Sequence, residues 1–396
     1  MNLSERFRAL KPSATFAVAA RAAALQKAGV NVLSLGAGEP DFDTPAHIKD
    51  AAKRALDAGY TKYTAEAGIP ALREAVAEKL ASDNGAVYDP NQVAVTVGGK
   101  FAVFAALQGL VNPGDEVIVP SPYWVSYPPM VELAGGRPVY LRTREEDGFR
   151  FNAEALDAAV TSRTRAVILN SPSNPTGAAY GVAELERIAE VACRRNLWVV
   201  TDELYEKLIY GGVKHVCLAS LGREIYERTI VVNGFSKAYA MTGWRLGYMA
   251  GPRPFIEPLC AFLSQTTSNP TSIAQHAGLV ALTGPQNELL AMRDEFEARR
   301  DDMVNRLRGI AGVSCATPPG AFFTFPNVSR FLGRAAGGRV LGGTIDLAAY
   351  LLEEHHVATV PGIAFGAEGH LRLSYATSRT AIAEGVRRLA AGLAAL

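Results

Sequence analysis

Between about residues 45 and 252, short runs of Val, Ile and Leu alternate with stretches whose apolar positions recur at helical spacing. That alternation predicts βα units around a mostly parallel sheet, because parallel strands are covered on both faces and read as nearly continuous apolar runs. Strands are predicted over 92–98, 115–120, 137–143, 164–170, 197–201, 229–233 and 244–250, several bounded by turn residues such as Asn112-Pro113-Gly114-Asp115. Val182, Leu185, Ile188, Ala189 and Ala192 share one apolar stripe and predict a helix lying on that sheet.

The pattern changes after residue 287. Leu289, Met292, Phe296, Met303, Leu307 and Ile310 fall on one face of a helix longer than the globular average. A strand over 321–325, a helix over 344–355, strands over 357–360 and 371–375, and a helix from about 380 follow, a smaller α/β unit. The Gly/Arg-rich stretch 333–343 predicts a surface loop. The fold class expected is α/β, with a large domain over 45–290, a small one over 291–396, and an N-terminal segment, 1–44, joining the small domain.

Composition narrows the function. The 396 residues are 48% hydrophobic and 20% charged, enough for one large or two medium cores. Lys and Arg number 40 against 39 Asp and Glu, a net charge of +1, which argues against nucleic acid or a membrane surface as partner. Cys193, Cys217, Cys260 and Cys315 lie far apart with no CxxC pair, as expected of reduced thiols, and the six histidines show no metal-ligand spacing. The apolar run 16–20 is cut by Arg21 and no stretch is long enough to span a bilayer, so a soluble, cytoplasmic protein is expected.

The richest stretch for chemistry is Asn233-Gly234-Phe235-Ser236-Lys237-Ala238-Tyr239-Ala240-Met241-Thr242-Gly243-Trp244-Arg245-Leu246-Gly247. Lys237 follows a β-rich run, where partly dry surroundings lower an amine's pKa and let it form a Schiff base. Ser236 and Arg245 add a hydroxyl and a planar cation suited to phosphate. Gly99 and Lys100 close a strand and open a helix whose N-terminus favours an anion, although Ala94 stands where a Walker loop needs glycine. The segment Gly36-Ala37-Gly38-Glu39-Pro40-Asp41 fails as a dinucleotide fingerprint at Asp41 and Pro40, which disfavours a nicotinamide dehydrogenase.

The run GFSKAYAMTGWRLG resembles the attachment signature of class-I pyridoxal-phosphate aminotransferases of fold type I, and further segments resemble that family in the expected order over nearly the whole chain. The resemblance implies pyridoxal 5'-phosphate bound to Lys237, with Asp202 keeping the ring nitrogen protonated and Trp124 stacking on the ring. It implies Asn174 and Tyr205 at the phenolic oxygen, and Gly99, Lys100, Ser236 and Arg245 about the phosphate. Tyr63 of a neighbouring subunit would join them, so a homodimer with shared sites is expected. Gly38 and Arg372 would hold the substrate carboxylate, beside Trp124 and Asn174, in a ping-pong exchange between amino acids and 2-oxo acids. The animal-type aspartate enzymes carry an arginine before a Ser-Asn-Pro turn; here 262–270 has none. A bacterial and archaeal subgroup of aspartate/prephenate aminotransferases is similar instead at Lys11-Pro12-Ser13-Ala14-Thr15 and Gly98-Gly99-Lys100. That similarity assigns Lys11, Ser13, Thr15 and Lys100 to a second carboxylate, L-aspartate and 2-oxoglutarate as substrates, and prephenate as a further one. An aromatic or broad-specificity aminotransferase is the alternative.

Overall fold

The computed structural model describes residues 3–4, 7–8, 10 and 14–396, with side chains from residue 17 within the first long helix. Seven strands form one sheet: β1 (Val93–Thr96), β2 (Glu116–Ser121), β3 (Arg137–Arg142), β4 (Thr164–Asn170), β5 (Trp198–Asp202), β6 (Thr229–Gly234) and β7 (Gly247–Ala250). Their order is β1-β7-β6-β5-β4-β2-β3. β2 to β6 run parallel to their neighbours, while β7 is antiparallel to both β1 and β6. β6 is buried along its whole length and β4 and β5 through their middle residues, as their Val/Ile runs require.

Helices cover both faces. Helix Val182–Arg194 buries Leu185, Ile188, Ala189, Val191 and Ala192, and its first turn is closed by Glu184, which accepts the Gly181 N–H at 2.8 Å. Helix Gly99–Leu110 buries Ala102, Val103, Ala105, Ala106 and Leu107 on the opposite face.

A second core gathers around helix Asn287–Arg308, where Met292, Phe296, Met303 and Leu307 meet Phe322, Phe323 and Tyr375. It includes helices Thr344–His355 and Arg379–Ala394 and a three-stranded antiparallel sheet of β8 (Phe323–Thr324), β9 (Val360–Pro361) and β10 (Leu371–Ser374), with β10 central. The strand predicted over 357–360 is two pieces, because Val357–Ala358 pairs with Leu33–Ser34 while β9 pairs with β10. The loop predicted over 333–343 carries a small hairpin, Ala335–Ala336 with Arg339–Val340, turned by Gly337 and Gly338, both at positive φ. Trp244 lies in a turn before β7, since Arg245 takes a left-handed conformation at φ 53°. Among the described residues no helix is long and apolar enough to cross a membrane.

Candidate active site

The carboxyl ends of β4, β5 and β6 open into a cavity of about 440 Å3, closed on the other side by residues 36–39 and by Arg372 of β10. This is where ligands bind on open α/β sheets. Asn170 ends β4 and braces the next strand, its amide donating to the Asp202 carbonyl at 2.9 Å. Asp202 ends β5, and burial raises its carboxyl pKa to about 6, opposed by a hydrogen bond from Tyr127. The Tyr127 hydroxyl donates to Asp202 Oδ2 at 2.6 Å.

Lys237 lies three residues beyond β6. Its Nζ donates to the Gly38 carbonyl at 2.6 Å and stands 6.0 Å from the centre of the Tyr205 ring. Burial lowers its pKa to about 8; Glu39 opposes the shift, and the Arg372 and Arg245 cations add to it. Glu39 itself accepts from Thr242 Oγ1 at 2.7 Å.

Ser236 is buried beside the lysine, and Arg245 directs its guanidinium at the start of helix Gly99–Leu110. Gly98 stands at φ +93°, a conformation that favours glycine, with the tip of Arg245 within 2.7 Å of where its Cβ would lie. Lys100 stands 5.0 Å over the Trp124 ring, its pKa lowered by burial and by Arg245.

Arg372 is 2% exposed. Its Nη1 donates to Asn174 Oδ1 at 3.0 Å, its Nη2 to the Gly36 carbonyl at 2.9 Å, and its Nε has no partner among the described residues. Phe323 and Phe365 flank the guanidinium at 4.3 and 5.1 Å. A buried cation bonded only to neutral oxygens is costly unless an anion joins it. Burial raises the Tyr205 phenol well above its ordinary value, and the Arg372 charge and the neighbouring Asn174 amide oppose that rise.

The structure thus brings Gly38, Gly99, Lys100, Trp124, Asn174, Asp202, Tyr205, Lys237 and Arg372 to one cavity; Ser236, next to Lys237, and Arg245, whose guanidinium reaches Gly98, do not line it. Tyr63 is not brought there; it is 89% exposed on the chain's own surface. Lys11 and Ser13 lie outside the described residues, and of Thr15 only the backbone is described, in helix Ala14–Lys27.

Tyr127, Glu39 and Asn170 line the cavity but were not among the residues expected from sequence. A signal was present for two of them: Glu39 sits inside the glycine segment and Asn170 opens the Asn-Ser-Pro-Ser-Asn turn, whereas Tyr127 takes its meaning only from the fold. A second buried group also escaped notice. Glu203, Glu206 and His215 place ligand atoms within 4.8 Å of one another, but the Lys79 ammonium pairs with Glu206 and already supplies the cation.

A mostly parallel sheet with a cation-rich cavity at its carboxyl edge defines an α/β enzyme acting on small anionic molecules. More narrowly, the chain belongs to the aminotransferase class I and II family, whose model matches residues 30–389. It is 49% identical to the aspartate/prephenate aminotransferase of Cereibacter sphaeroides over 396 residues, 100% of this chain and 99% of the other. The crystal structure of the aspartate aminotransferase from Rhizobium meliloti superposes with a TM-score of 0.96 at 45% identity, covering 100% of both chains. That of Thermus thermophilus aspartate aminotransferase with maleate gives 0.93 at 44%, covering 99% of this chain and 100% of that one.

Proposed function

We propose that the protein transfers the amino group of L-aspartate to 2-oxoglutarate in a ping-pong cycle, with pyridoxal 5'-phosphate as cofactor and prephenate as a further acceptor. The observation that carries this reading is the buried Arg372 guanidinium, bonded only to neutral oxygens at the wall of a cavity that Lys237 and Lys100 also line.

The residues present fit the cofactor. Gly99 and Lys100 precede the first bonds of their helix, which Phe101 and Ala102 donate to the Gly98 carbonyl, so their own N–H groups are placed for a phosphate with Ser236, Arg245 and Tyr63 of the partner subunit. Trp124 offers a flat face, Asp202 a buried acid for a ring nitrogen, and Asn174 and Tyr205 hydrogen bonds for a phenolic oxygen. Bound there, pyridoxal phosphate supplies an aldehyde that exchanges amino groups and a ring that accepts electrons.

The protein's part follows from the geometry. Lys237, with its pKa brought to about 8, would hold the aldehyde carbon and, once freed by the incoming amine, would take the proton from the substrate α-carbon. Arg372 grips the α-carboxylate in a planar fork, with the Gly38 N–H beside it. Lys100, with Lys11, Ser13 and Thr15, receives the second carboxylate. Maleate, present in the Thermus thermophilus structure, is a dicarboxylate with the four-carbon skeleton of aspartate. The proposal includes a cytoplasmic homodimer, and domains over 45–290 and 291–396 with 1–44 joined to the second.

The test is the half-reaction of the cofactor-loaded protein, followed by loss of its visible absorbance. L-Aspartate is expected to react at least about tenfold more efficiently than L-alanine or L-tyrosine, the worth of one charged hydrogen-bonding site. Equal rates would pass the substrate assignment to an aromatic or broad-specificity aminotransferase.

A further inference from the structure

Asp202 takes its one side-chain hydrogen bond, among the described residues, from Tyr127. Its other oxygen receives only a long contact, 3.4 Å, from the Leu204 N–H. Tyr127 opens helix Tyr127–Leu133 at the foot of the cavity and is 2% exposed. The same ring meets Trp124 edge-on, with centroids 5.3 Å apart and planes at 84°. One side chain therefore touches both the acid assigned to the cofactor's ring nitrogen and the indole assigned to the ring's face.

We propose that Tyr127 is a positioning residue: its hydroxyl holds Asp202 ionised and aimed into the cavity while its ring edge sets the plane of Trp124. This rests on the reading of Asp202 given above. Physically, a buried carboxyl tends to become neutral unless a donor stabilises its charge. Lys237 across the cavity favours the charged form, Glu203 beside it opposes it, and Tyr205 lies near. Burial raises the Tyr127 phenol far above its ordinary value, so it remains a donor throughout the working pH range. Oδ1 is left for the ring nitrogen, because Oδ2 is engaged by the phenol.

The experiment is a double-mutant cycle on the whole protein, with Tyr127→Phe, Asp202→Asn and both together. Two readouts are used: the dissociation constant of pyridoxal phosphate, and the infrared carbonyl band of the protonated Asp202 carboxyl in cofactor-free protein, assigned by its loss in Asp202→Asn. Tyr127→Phe is expected to weaken cofactor binding about tenfold, the loss of one hydrogen bond to a charged group. In the Asp202→Asn background the same change is expected to cost less than about twofold, because the partner charge is already gone. The Asp202 band is expected to persist about one unit higher in pH in Tyr127→Phe, since losing a donor to the ionised form raises a pKa. A purely structural role would lower affinity equally in both backgrounds and leave the band in place, which would overturn the proposal. If Asp202→Asn alone left the cofactor affinity unchanged, the assignment of Asp202 would fail instead.

Discussion

Lys237 shows how a single side chain is set by its surroundings. An exposed lysine would be fully charged at neutral pH, but burial, reinforced by Arg372 and Arg245, brings this one to about 8. The free amine therefore grows as pH rises and is complete well below the ordinary lysine range. Mixing cofactor-free protein with pyridoxal phosphate at a series of pH values should give a capture rate that climbs toward pH 8 and levels off above it. A rate still climbing at pH 10 would contradict the assignment. The lysine, Arg245, Asp202 and Arg372 were legible in the sequence because each stands in a short segment of fixed residue types. Tyr127 was not, since its meaning comes from Asp202, 75 residues away and met only once β5 is laid beside its neighbours.

Between elements, the buried group beneath the site couples helix Pro70–Asn84 to the segment that follows β5. Lys79 pairs with Glu206, Asn84 donates to Glu206 Oε2 at 2.7 Å, and His215 Nε2 lies 2.9 Å from Glu203. Burial opposes the Glu206 charge, yet Lys79 and then His215 prevail and hold its carboxyl down to about 2. A folded pKa below the unfolded value of about 4.5 gives stability that is present above that value and lost as pH falls toward 2. Lys79→Met should cost about 3–5 kcal/mol in denaturant unfolding, because it leaves a buried carboxylate uncompensated. In that variant the part of the acid-induced loss that Glu206 carries between about pH 4.5 and 2 should shrink, because its folded pKa rises toward the unfolded value once the Lys79 charge is gone. A variant as stable as its parent would show the pair to be idle. The elements themselves were readable: the helix predicted over 344–355 is Thr344–His355, and the strand over 164–170 is β4. What could not be read was partner choice, as in the run 357–360, whose halves join different strands. The Gly337-Gly338 turn was legible in principle and was passed over in a stretch dominated by Gly and Arg.

At the scale of the molecule, the proposed reading has the site completed by a second copy. Tyr63 is 89% exposed and does not line its own cavity, as the proposal that it serves a neighbour requires. Hybrid dimers test this directly. Protomers carrying Lys237→Ala are inactive on the proposed reading, and those carrying Tyr63→Phe are expected to be weakened several-fold by loss of a charged hydrogen bond. Mixing the two should create one cavity per hybrid with both groups intact and restore parental activity at that site. No gain on mixing would place Tyr63 outside the machinery. One feature of the segment 36–39 bears on turnover: its carbonyls at Gly36 and Gly38 already hold Arg372 and Lys237. On the proposed reading, a carboxylate that takes the Nη2 of Arg372 would displace the Gly36 carbonyl from it, so its binding would be an exchange of partners whose net gain is far smaller than the gross strength of the new fork. On the same reading the oxo-acid product, which keeps that carboxylate, would leave by the reverse exchange, with the chain itself stepping back in as the competitor that clears the site.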